Sequence, residues 1–256
     1  MGGSTVVVGW QLGVALAVLV LIAVAAAVAG GLGTGRASAI AAVRAVIQLG
    51  VVATIILAVV GSWWATALFV LVMLGVATCT SAGRMTAGPS GAHAGVAILA
   101  GTLPVLAVVL VSGAVPLAGI AVVPIAGIVI GGAMSATSVA GRRALDQLES
   151  RRGEYEAALS LGLLPRDAAL LVVRGSATDA LVPALDQTRT VGLVTLPGAF
   201  VGVLLGSGDP IRAGAAQVLV LIGLLAAETI AVLVAVELVA RGRIRRADHG
   251  SESGRR

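Results

Sequence analysis

The sequence predicts an all-α, polytopic transmembrane helical bundle of about seven spans with a cytosolic helix-turn-helix loop. Three observations predict it. The chain is 58% hydrophobic and only 11% charged, with a mean hydropathy of +1.07, whereas soluble domains average about 45–50% apolar residues. Its apolar runs are too long and too many to share one water-facing core. Its basic residues gather on one side of those runs.

The apolar segments cover residues 6–30, 39–60, 63–80, 94–115, 117–140, 191–205 and 213–240. A spanning helix needs roughly 17–25 such residues, and all but one of the segments reach that length. The sixth is short and interrupted by Pro197 and Gly198, so its helix is expected to start earlier, near Pro183. Ala37-Ser38-Ala39 resembles a signal-peptide cleavage site. No positive side chain precedes Val6, however, and the first run far exceeds the ~7–15 residues of a signal core. It is expected to be a retained helix with its N-terminus outside.

Orientation follows from arginine. All 17 basic residues are Arg, and there is no Lys. With the N-terminus outside, the connections near 31–38, 81–93 and 141–190 and the C-terminal tail face the cytosol. They hold every arginine except Arg44, inside a span, and Arg212, on the far side. Such an asymmetry places the basic loops in the cytosol. It also accounts for the net charge of +5 without nucleic acid. Trp63 and Trp64 then fall at the outer interface, where indoles anchor well.

Composition excludes several functions. A phosphate-cradling loop of the G-x-x-x-x-G-K type needs a lysine, so ATP hydrolysis is expected only in a partner. Three Trp, two Phe and one Tyr leave no aromatic platform for single-stranded nucleic acid. The two histidines, His93 and His249, make no zinc-spaced cluster with Cys79. The single cysteine excludes an internal disulfide and reads as a small hydrophobe. The expectation is a protein that is no enzyme and has no cofactor and no resident metal. One transmembrane domain is expected over residues 1–248, with a disordered basic tail at 249–256.

The one long polar stretch, 141–189, is expected to be cytosolic. Ala144, Leu145 and Leu148 recur at helical spacing among charged neighbours, so the fifth span should continue outward as an amphipathic helix. Gly162 and Pro165 then punctuate a turn between two helices. Glu156, Ala157, Ala158 and Gly162 form an E-A-A-x-x-x-G pattern, with Pro165 three residues on. Small alanines allow close helix approach, glycine permits the tight turn, and proline suits a first helical position. An ordinary helix-turn-helix has the same ingredients. The pattern nevertheless resembles the loop of bacterial ABC permeases that docks into a groove on the ATPase.

The wider resemblance is to the FetB family of iron-export ABC permeases. It rests on Arg44-Ala45-Val46-Ile47-Gln48-Leu49, on Gly131-Gly132-Ala133-Met134, and on Gly192-Leu193-Val194-Thr195-Leu196-Pro197-Gly198. Gly202, Asp209-Pro210 and Gln217 extend it, over roughly residues 36–240. Gly132 stands where the family usually has Asn. Ala199 and Phe200 replace two Met, and Val203 a frequent Gln. The resemblance implies a homodimer in a bacterial plasma membrane, paired with separate ATPase subunits and exporting a small solute or metal ion such as iron.

Polar groups inside the spans are functional candidates because lipid makes them costly. Arg44 lies close enough to the cytosolic end to snorkel; Gln48, on the same face, is a candidate lining residue. Gln217 and Glu228 are eleven residues apart and return to within ~20° of one helix face. Glu228, near mid-membrane, is the strongest candidate for a proton or cation contact, with a structural hydrogen bond as the alternative. The break at Pro197-Gly198 is typical of transport sites, though a packing kink would leave the same mark. Met134 is either a soft ligand or core. The expected function is thus an ABC permease, with a stand-alone secondary transporter or channel using Glu228 as the alternative.

Overall fold

A computed structural model describes residues 9–246. Among them the regular elements are helices, and the only β feature is an isolated bridge between Val191 and Thr195. Six of the described helices are long and apolar enough to cross a membrane. The tail at 249–256 and the first few residues of the first apolar segment lie outside the described residues.

The chain forms two compact units. The first ends at Val59 and holds α1 (Trp10–Ala29) and nearly all of α2 (Gly35–Val60). Gly31 and Gly33 reverse the chain at φ +63° and +67°, a region open to glycine. The Leu32 amide bonds back to the Ala27 carbonyl at 2.9 Å and closes α1. Both helices expose apolar side chains around most of their circumference, as lipid-facing helices do.

The second unit begins at Val60. It contains α3 (Trp63–Met85), a 3-10 turn (Pro89–His93), α4 (Ala94–Val111), α5 (Gly119–Ser150), α6 (Arg152–Ser160) and α7 (Pro165–Ala177). A second 3-10 turn (Thr178–Ala180), α8 (Val182–Thr190), α9 (Gly198–Ser207) and α10 (Pro210–Ala240) complete it. α10 is the central element and packs against α4, α5, α7 and α9. Its buried residues include Ala213, Gln217, Val220, Leu224, Ala227, Glu228, Ala231 and Ala235, the three-and-four spacing of one broad helical stripe.

Small residues let these helices close on one another, as bundles in lipid require. Gly101 of α4 lies against the Ala227 carbonyl of α10, and Gly141 of α5 against the Met85 sulfur of α3. Between α3 and α5, the Ser138 hydroxyl donates to Ser81 Oγ at 3.0 Å.

Contacts at the two ends fix the direction of each helix. Arg246 pairs with Asp146 and Glu149 near the end of α5, and the Ser90 hydroxyl donates to the Arg245 carbonyl at 2.9 Å. The ends of α3, α5 and α10 and the start of α4 therefore share the arginine-rich end. At the other end, a methyl on Gly119 would fall 2.6 Å from the Thr66 hydroxyl. α10, with 31 residues, is ~46 Å long at 1.5 Å per residue, so it starts at that far end. The chain must therefore cross the bundle between α7 and α10.

That crossing departs from the sequence expectation. A helix does start near Pro183, as expected, but it does not run on through Gly198. α8 stops at Thr190, and α9 is a separate helix of 10 residues. Between them Gly192 takes φ +80°, and the Thr190 carbonyl accepts from the Val194 amide at 2.9 Å. Leu196 precedes a proline, which disfavours the helical region at that position. The sixth segment is thus a broken pair rather than a kinked span. The helical continuation expected for the fifth span holds: α5 runs unbroken to Ser150, and Ala144 and Leu145 are buried while Leu148 packs beside them.

Candidate functional site

Two places carry chemistry, one at mid-bundle and one at the arginine-rich end. At mid-bundle, Glu228 of α10 is 8% exposed. Among the described residues it makes no hydrogen bond and no ion pair. Its carboxylate fits against the Cα of Gly132: a methyl there would lie 2.6 Å from Glu228 Oε1. Thr102 sits beside Gly101, which opposes Ala227, so it shares the depth of Glu228 to within a helical turn. The Thr102 hydroxyl, and that of Thr137 about 7 Å further along α5, are fully buried without a hydrogen-bond partner among the described residues. Buried polar groups without partners are rare and call for an explanation. Thr102 lies at the depth of Glu228, whereas Thr137 lies ~140° around α5 from the face that Gly132 presents to it.

Gln217 occupies the same stripe of α10 but serves the broken crossing. Its Oε1 accepts from the Phe200 amide at 3.1 Å. Phe200 is the third residue of α9, where a helix has no internal acceptor for its amide. Gln217, 4% exposed, thus caps α9 from a neighbouring helix. It stands ~16 Å along α10 from Glu228. Pro197 precedes the first residue of α9, Gly198. Met134 packs with Leu74, Ile98 and Ala133; it follows Gly132 by two residues and points ~160° away around α5. Gln48 and Arg44 are exposed on one face of α2, in the first unit. The structure therefore groups Glu228 with Gly132, and Gln217 with the α8–α9 break. Among the described residues no three His, Cys, Asp or Glu side chains come together as a metal site.

At the arginine-rich end, α6 and α7 form a hairpin turned at Gly162, whose φ is +90°. Pro165 is the first residue of α7. Glu156 is exposed and accepts from Arg152 Nε at 2.8 Å one turn back; Ala157 is exposed, and Ala158 is buried against the body. Arg151 braces the hairpin, donating to the Val172 carbonyl of α7 at 3.2 Å and pairing with Glu154. The bond from Arg151 holds the Glu154 carboxyl below the usual carboxylate range. Glu156, Leu159 and Pro165 also line a cavity of about 1080 Å³ that opens toward the C-terminal segment.

Sequence reasoning missed two features here. Leu161 and Leu164 are 82% and 69% exposed around the turn, with Leu163 beside them. The Leu-Gly-Leu-Leu run at a glycine turn, inside the chain's most polar stretch, was the available signal. The second is the pairing of Arg166 with Glu237, 71 residues away, for which the sequence offered no signal beyond opposite charge.

A family model described as an uncharacterised protein family, UPF0014, matches residues 10–244. The UPF0014 membrane protein STAR2 of Oryza sativa subsp. japonica is 36% identical over 66% of this chain and 59% of its own length. Protein ALUMINUM SENSITIVE 3 of Arabidopsis thaliana is 35% identical over 62% of the chain and 59% of its own. The probable iron export permease protein FetB of Escherichia coli (strain K12) is 34% identical over 57% and 56%. The chain thus spans somewhat over half the length of these relatives. No solved structure matches it. With the family model covering nearly all of the described residues, the chain belongs to the UPF0014 family of membrane proteins.

Proposed function

We propose that this chain is the membrane-spanning permease subunit of an ABC transporter, driven by a separate ATPase that docks on the α6–α7 turn. The observation that carries this reading is the exposed apolar tip, Leu161, Leu163 and Leu164, around the left-handed Gly162 at the arginine-rich end. A cluster of leucines facing water marks a protein contact, and here it coincides with the E-A-A-x-x-x-G pattern. The permease works as a homodimer in a bacterial plasma membrane, with its arginine-rich end and C-terminus in the cytosol and its N-terminus outside. Closure of the ATPase pushes on residues 156–165 and tilts the spans around a path that Glu228 lines beside Gly132, with the Pro197-Gly198 break flanking it. The substrate is a metal ion such as iron, carried outward, in keeping with the name of the FetB relative.

A second reading keeps the path and omits the ATPase: a stand-alone transporter or channel using Glu228 as its cation contact. The partnerless carboxylate favours it. The test is co-expression with the ATPase encoded nearest to the permease, followed by purification through a tag on the permease. An ATPase that stays bound through the purification supports the first reading. A permease that purifies alone yet moves metal ions into vesicles supports the second.

A further inference from the structure

Arg166 is the second residue of α7, directly after Pro165 and four residues from the Gly162 turn. Its guanidinium reaches across to α10 and grips Glu237 with both arms: Nε to Oε1 at 2.5 Å and Nη2 to Oε2 at 2.9 Å. Nη1 also donates to the neighbouring Asp167 at 2.9 Å. The same Oε1 also accepts from Arg241 Nε at 2.6 Å, one turn on at the C-cap of α10. Beneath this fork, Ala169, Leu170 and Val173 of α7 pack with Val232, Val236 and Val239 of α10. The apolar side chains keep the two helices together. The two-armed bond adds a directional constraint, fixing the register of α7 along α10.

We propose that the Arg166–Glu237 bridge is the strut through which the α6–α7 turn drives α10, and so moves Glu228. The inference rests on the reading of that turn as the ATPase dock. Glu237 and Glu228 are nine residues apart on one helix, ~13 Å along its axis. α10 carries its only proline at its first position and has no internal break between them. A shift of α7 therefore reaches Glu228 through a rigid element. The pair is partly solvated, with side chains 45% and 28% exposed. Bonds so placed contribute little to fold stability, and their loss leaves a folded protein. Arg241 supplies an internal control: it binds the same carboxylate but caps the end of α10 itself, so it links no two helices.

The experiment uses the full permease with its ATPase in vesicles. Cys79 is replaced by Ala and a reporter thiol is introduced by Thr229→Cys, next to Glu228. Maleimide labelling is compared without nucleotide and after trapping with ATP and vanadate. With the strut intact, trapping changes the labelling rate by about fivefold or more, the usual scale of coupling between sites. Arg166→Gln keeps the ATPase bound and hydrolysing but loses that change. Arg241→Gln retains it. The exchange Arg166→Glu with Glu237→Arg restores it. A full trapping response in Arg166→Gln overturns the strut and leaves the docking reading standing. So does an exchange that stays uncoupled while folded and ATPase-bound. A permease with its native bridge that binds no ATPase overturns both.

Discussion

Gly132 on α5 and Glu228 on α10 fit together as a notch and its filling: the missing side chain of one makes the room that the carboxylate of the other occupies. A methyl at Gly132 would fall 2.6 Å from Glu228 Oε1 and would collide with Leu224. Gly131, one residue earlier, has nothing within 4 Å of the same position. Gly132→Ala should therefore overpack the α5–α10 contact and cost about 1–3 kcal/mol. Gly131→Ala should be neutral, or stabilising by up to ~1 kcal/mol, because alanine favours a helix. Thermal unfolding of both variants in detergent checks this. Equal midpoints would mean that Leu224 and the Glu228 carboxylate swing aside and that the notch is not tightly filled.

Glu228 should be a residue that stability would discard and transport needs. A buried polar group without a partner costs about 1–3 kcal/mol, and an ionisable one inside a span is kept for function rather than stability. Glu228→Leu is thus expected to raise the unfolding midpoint while abolishing export, and Glu228→Gln to fold in normal amount and lose transport. Transport with each variant, read in vesicles loaded with a panel of metal ions, is the measurement. A Leu variant that still transports would reduce Glu228 to a tolerated bystander. A Gln variant that folds poorly would point to a structural bond instead.

Gln217 has a different expected signature. Removing its carbonyl leaves the Phe200 amide of α9 without its acceptor. Loss of a helix cap of this kind costs ~0.5–2 kcal/mol. Gln217→Leu should speed hydrogen exchange in the first turn of α9 and leave α4 and α5 unaffected. Unchanged exchange at Phe200 would show that the cap is unimportant.

Where the fold was legible in the sequence, one physical signal dominated. Length and hydropathy located the long helices, because lipid rewards nothing else over twenty residues. The amphipathic end of α5 and the Gly162–Pro165 turn were legible because helical spacing and backbone freedom are local. The α8–α9 break was only half legible. Pro197-Gly198 marked its far edge, but the near edge at Thr190 depends on Gly192 adopting φ +80°, a choice made by the turn as a whole. The site was legible only to the extent that one residue could reveal it. Glu228 was visible as a carboxylate inside a span. Its fit to Gly132, the capping role of Gln217 and the reach of Arg166 to Glu237 are contacts between distant segments, and no local pattern encodes them.

Docking of an ATPase at the α6–α7 turn is tested most directly by altering the exposed tip alone. Leu161→Glu with Leu164→Glu changes two side chains that face water, so folding should be unaffected, while the ATPase should no longer co-purify and ATP-driven export should cease. Gly162→Val, which forces a β-branched residue into a left-handed turn, should have the same consequence. The contrary result is an ATPase that binds both variants as tightly as the native chain, with export intact; it would make the turn an ordinary helical hairpin and remove the ground for reading this protein as an ABC permease.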